Sequence, residues 1–109
     1  MNLPESDWKH LSRLRPLALD RLCRRILQEA EAIIASAADR GSHRAYLDLY
    51  QHLREQDRVV ADCFDNWRRS QGFFLLSLWH RYGLITDEEL AGFTPEIQER
   101  VAASLPGQG

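Results

Sequence analysis

No part of this sequence alternates apolar and polar residues over a strand's length, so no sheet competes with a helical reading. Proline is missing from residue 17 to residue 94, which leaves long stretches free of helix breakers. The most apolar window, GFFLLSLW at 72–79, is too short to cross a bilayer, and the N-terminal MNLPESDWKH has no apolar run of a secretory leader. A membrane segment is not expected, and the cytoplasm is the expected location. Charge of one sign is also missing: the formal net charge is −2, which creates no global field demanding nucleic acid or an anionic membrane. Glycine-rich phosphate loops are absent, since the six glycines fall at helix ends, at one possible kink or in the tail. Cysteine is scarce. Cys23 and Cys63 are read as reduced, buried thiols on the apolar sides of their helices, with a disulfide between them left as a geometric question.

What is present is the composition of one ordinary globular domain: 109 residues, 44% hydrophobic and 28% charged, too apolar to be disordered. Of the 14 basic side chains all but Lys9 are arginine, the residue suited to carboxylate and phosphate recognition. Residues 1–15 read as an irregular lead-in, with Pro16 resetting the chain at the first turn of a helix. That first helix is expected over about 16–39. Leu19, Leu22, Cys23, Ile26, Ala30, Ile33, Ile34 and Ala37 form its apolar stripe. Gly41 ends it and Ser42 opens the next. The second helix carries Tyr46, Leu49, Leu53, Val60, Cys63, Phe64, Trp67, Phe74 and Leu78 on one periodic stripe that persists to Tyr82. Unbroken, it would reach about 60 Å against about 36 Å for the first. Either it breaks near Ser70-Gln71-Gly72 and folds back, or a second subunit covers the overhang.

The C-terminal part is sharply punctuated. Gly83 stands where a left-handed helix-ending residue belongs, with Leu84 for the accompanying hydrophobic contact. Thr86 and Glu89 form a capping-box pattern, and Thr94-Pro95 opens a last helix, PEIQERVAAS. HRYGLITDEEL, 80–90, resembles a local pattern of many bacterial helical proteins, including the short C-terminal domains often called SHOCT. The likeness ends at AGFTPEIQERV and implies a helix stop and restart, not a function. The expected architecture is therefore all-α: a helical bundle built on a long antiparallel hairpin, with short C-terminal helices. The single domain spans 16–104 and 105–109 form a frayed tail.

Chemistry-bearing patterns are thin. His52 and Glu55 lie three apart with Asp48 one turn before them, but the order needed for a bundle metal site is reversed and no second copy exists, so a solvated polar face is expected. Ser70 and Ser77 lie near His80 without an oxyanion donor or a third member. No enzymatic activity, metal or cofactor is expected. Asp57 and Gln71 interrupt the second stripe. They line a polar gap with Arg68, and Asp57 meets an arginine of a neighbouring helix or subunit, or they simply face water. That gap is a third functional reading, a small-ligand or metal site. Basic residues crowd the start of the first helix and acidic ones the C-terminal part. The two segments dock on each other, or Arg21, Arg24 and Arg25 grip phosphates in a nucleic-acid reading, or both faces are wet. The leading expectation is a self-associating, homodimeric interaction or regulatory module. Its partner surface is placed on Trp67, Arg68, Arg69, Phe73, Leu76, Trp79, His80 and Tyr82, a segment too apolar all round for one helix to cover.

Overall fold

A computed structural model describes residues 2–104, and every regular element among them is helical. The helices are α1 Glu5–Ala35, α2 Ala37–Arg40, α3 Ser42–Phe64, α4 Gly72–Arg81, α5 Asp87–Leu90 and α6 Pro95–Ala103, with a single 3-10 turn at Arg69–Gln71 before α4. The tail expected at 105–109 lies outside the described residues.

The lead-in expected over 1–15 is a correction: α1 begins at Glu5 and runs through Pro16. Leu11, Leu14, Ala18 and Leu22 keep one helical phase across the proline, and all four are buried. An interior proline costs about 3 kcal/mol. Burying Leu11 and Leu14 returns roughly 1.5–3 kcal/mol each, so the stripe outweighs the breaker.

Of the two outcomes left open for the second helix, the structure takes the break. The helix stops at Phe64 and restarts at Gly72, so the chain breaks just before the expected Ser70–Gly72 kink. The break is fixed from a distance. Trp79 Nε1 donates to the Cys63 carbonyl at 2.9 Å, and Arg15 Nη2 donates to the Phe64 carbonyl at 3.0 Å. These are two of the carbonyls that a helix end leaves without an intrahelical partner. Gly72 then allows close approach, since a Cβ there would lie 2.6 Å from Leu3 Cδ1. Folded back, α4 brings Trp79 against Phe64 and Trp67, with centroids 5.4 and 6.0 Å apart, and Trp67 against Trp8 at 4.7 Å.

The punctuation of the C-terminal part holds. Gly83 has φ +70°, Leu84 N–H donates to the Trp79 carbonyl and Gly83 N–H to that of His80, the two bonds of a Schellman ending. Thr86 and Glu89 make both capping-box bonds, and Pro95 sits in the first turn of α6. Gly41, φ +94°, separates α2 from α3, though Ser42 is the first residue of α3 and not its side-chain cap.

α1 and α3 lie side by side, with Arg15 meeting Phe64 and His52 meeting the Ile26 carbonyl. The core is concentrated at one end of this pair. Leu3, Leu11, Leu14, Leu22, Phe64, Leu76, Trp79, Leu84, Phe93, Ile97 and Val101 belong to one buried cluster. The far end of the pair buries only Ala30 and Ala45. The molecule is accordingly elongated, 51 × 29 × 21 Å.

Candidate interaction surface

The aromatic segment expected to meet a partner is core. Leu76 and Trp79 are fully buried and offer a partner nothing to touch. Trp67, Phe73, His80 and Tyr82 are half-buried, and Trp67, Phe73 and Tyr82 pack on the core cluster. Arg15 lies over the Trp67 ring, 4.9 Å from its centroid. Arg68 and Arg69 are exposed, but Arg69 Nε is engaged with the Leu3 carbonyl at 2.7 Å. The expectation failed because the chain's own elements suffice where a second copy was expected to complete the cover. Residues 3–15, α5 and α6 supply the remaining cover. Phe74, placed on the apolar stripe of the second helix, is 56% exposed instead.

The basic start of α1 is committed to the chain's own C-terminal part. Arg21 forms a bidentate pair with Glu89, at 2.6 and 3.0 Å, and donates to the Leu84 carbonyl at 2.9 Å. Charge-assisted hydrogen bonding holds the Glu89 carboxyl below its usual range and raises the Arg21 guanidinium. Arg25 Nη1 donates to the Tyr82 carbonyl at 2.7 Å, on the ending turn of α4. Arg24 pairs with Asp20 on the exposed surface at 2.8 Å. A phosphate would have to displace these partners from Arg21 and Arg25.

Asp7 carries the tie that the sequence did not disclose. It is 1% exposed and accepts from Thr94 N–H at 2.9 Å and Thr94 Oγ1–H at 2.8 Å. Thr94 makes no side-chain bond to its own helix. A carboxylate of α1 therefore takes the role of cap for α6, where the helix dipole favours negative charge. Three turns of α1 thus hold the C-terminal helices: Asp7 on Thr94, His10 on the Glu89 carbonyl at 2.8 Å, and Arg21 on Glu89.

Other candidate groups are also placed. Asp48, His52 and Glu55 do not form one solvated face. His52 is half-buried and bonds the Ile26 carbonyl across the helix pair, and Asp48 binds Arg40 at 2.6 Å. No cluster of three or more metal-ligating side chains occurs among the described residues. Both cysteines are free. Cys63 is buried, which pushes its thiol up to about 11. Cys23, expected inside, is exposed, because α3 packs on the Leu22 and Ile26 side of α1. Among the described residues no helix is long and apolar enough to cross a membrane.

Apart from Phe74, the large exposed apolar side chains among the described residues are on the helix pair. Leu27, Ile34, Tyr46, Tyr50 and Leu53 are between 44% and 62% exposed. An open groove of about 500 Å³ is lined by Ile26, Tyr50, Leu53, Arg54, Gln56, Asp57 and Val60. A second groove is lined by Ile34, Ala37, Ser42, Ala45, Tyr46 and Leu49. Tyr46, Leu49, Tyr50, Leu53 and Val60 recur at helical spacing, so both grooves lie on one side of the α1/α3 seam. Asp57 is exposed in the first groove; Arg68 and half-buried Gln71 do not line it, so the expected polar gap does not assemble. The missed signal was the width of the apolar stripe on α3. Ile34, Tyr46 and Leu53 belong to the stripes assigned from sequence, and Tyr50 widens the same face of α3 beyond what α1 alone covers. Comparison with protein-family models, curated proteins and solved structures finds no match to the chain in any of the three.

Proposed function

We propose that this chain is a non-enzymatic interaction module that self-associates, and that its contact with a second copy is the exposed apolar side of α1 and α3. The observation that carries this reading is the clustering of Ile34, Tyr46, Tyr50 and Leu53 along two consecutive grooves on one seam. Exposed apolar patches of this kind mark association surfaces on otherwise polar proteins. In this reading α1 and α3 work as an antiparallel hairpin, a single layer of two helices. A second hairpin laid against it completes a four-helix bundle, the usual way such a layer is buried. A two-fold pair is the commonest form of such assembly.

The available area suits the proposal. The chain exposes 7086 Å², against roughly 6200 Å² for a compact protein of 12.6 kDa. The excess, roughly 900 Å², is close to the area that one partner gives to a standard interface, about 800 Å². The two free thiols, one of them exposed, suit a reducing compartment such as the cytoplasm.

The test is molar mass in solution over a range of concentration. The wild-type chain should rise from the 12.6 kDa monomer to twice that mass. Leu53→Asp should return it to the monomer without loss of helicity, whereas Phe74→Asp, exposed but off the two grooves, should leave the dimer intact. A wild-type chain that stays monomeric at millimolar concentration ends the proposal.

A further inference from the structure

The first groove holds two charged side chains among its apolar lining, Arg54 and Asp57. Neither has a hydrogen bond or ion pair among the described residues, unlike Arg15, Arg21, Arg25, Arg40 and Arg69, which are all engaged. An unpaired carboxylate beside Leu53 and Val60 becomes costly once that surface is covered. Something in the covering layer must therefore neutralise it.

The pattern of α3 supplies the partner. Tyr50, Leu53, Asp57 and Val60 follow one another at intervals of three, four and three residues. That spacing reads the same in both directions about position 55. Laid antiparallel on a second copy and crossed there, the stripe opposes Tyr50 to Val60 and Leu53 to Asp57, and each contact occurs twice. An isologous two-fold interface demands this reciprocity. Arg54, next to Leu53, then stands beside the Asp57 carboxylate of the other copy.

We infer that Arg54 and Asp57 form two reciprocal ion pairs across the two-fold axis of a dimer, and that these pairs fix the crossing point and register of α3 on its copy. This rests on the self-association proposed above. The pairs discriminate more than they bind: a polar pair inside an apolar seam rejects registers that leave it unmatched. A register shifted by one heptad would still match apolar with apolar at several positions, but it would strand both charges.

Charge reversal tests the inference. Arg54→Asp places two acidic groups at each pair, and Asp57→Arg places two basic ones. Each variant alone should associate with Kd weakened by on the order of tenfold or more, since like charges across an interface are strongly disfavoured. Mixed in equal amounts, the two variants should form a heterodimer of near wild-type affinity, because both pairs are then complementary. The double variant R54D/D57R should also recover. Both positions are exposed on a helix, so circular dichroism should show unchanged helicity in every variant. If the wild type dimerises but either single reversal dimerises equally well, or the mixture fails to recover, the ion pairs do not exist, while the dimer proposal stands. If the wild type does not dimerise, the dimer proposal itself is the part that fails.

Discussion

The two ends of this molecule solve the same packing problem with unequal means. At one end, residues 3–22 of the N-terminal segment, the last turn of α3 and the three C-terminal helices enclose Trp79, Leu76, Leu11 and Ile97 completely. At the other, α1 and α3 have only each other, and side chains as large as Tyr46 and Tyr50 stand about 60% exposed. Both ends are rich in apolar residues, so hydrophobic content does not separate them. What separates them is the number of elements that converge. Two helices can cover each other along one stripe each, whereas four elements can surround a central helix. Surplus apolar surface in the α1/α3 arm is therefore a property of the topology, and it is there that a partner has most to bury.

The comparison can be broken by substitution. The largest effect is expected for Trp79→Ala, which removes a buried ring from two stacking partners and its hydrogen bond to Cys63. It should cost roughly 3–5 kcal/mol in urea unfolding. A loss under about 1 kcal/mol would mean that this end is as loosely packed as the arm. Asp7→Ala comes next. It leaves the Thr94 N–H and hydroxyl without their acceptor and should cost about 1–3 kcal/mol, with Asp7→Asn recovering part of it.

A smaller effect is expected from acid. The folded-state carboxyl of Glu89 is held below its ordinary value by Arg21, so the folded state binds that proton less readily than the unfolded state. Its contribution is complete above the ordinary value of 4.5 and is lost as pH falls through the lower folded value. Glu89→Gln should therefore be less stable than wild type at pH 7, and the gap should narrow as the pH falls below 4.5. A gap independent of pH would assign the loss to the capping bond with Thr86 and not to charge. The smallest effect belongs to the arm: Leu53→Ala should change monomer stability by less than about 0.5 kcal/mol, because that side chain is already wet. The same substitution should weaken association.

Local grammar was readable in the residues themselves. Gly83 and Leu84, the Thr86/Glu89 box and Pro95 each act within a few residues of the chain, and each does in the structure what its chemistry dictates. The stripe of Leu19, Leu22 and Ile26 on α1 likewise follows from a 3.6-residue period. The break after Phe64 was not readable in this way. No proline or glycine marks Asp65–Arg68, and the helix ends there because Arg15 and Trp79, remote in sequence, take its last carbonyls. The run of α1 through Pro16 escaped for the opposite reason. A local breaker was present, but burial contributed by helices more than fifty residues away outweighed it.

The candidate surface divides the same way. The basic start and acidic end of the chain were evident from charge, and docking of one on the other was one of the readings; that Arg21 selects Glu89 needed the fold. Trp79 and Leu76 read as surplus apolar residues because a single helix offers too few covers, and only the return of α4 between α1, α3 and α6 placed them inside.

The amino-acid order alone determined that this chain is helical, where its C-terminal helices start and stop, and which side chains needed burial, because periodicity, caps and φ preferences act over one or two turns. Only the tertiary structure decided which apolar residues were in fact covered. Burial depends on how many elements arrive at one place, and that arrival is set by contacts between residues far apart in the chain.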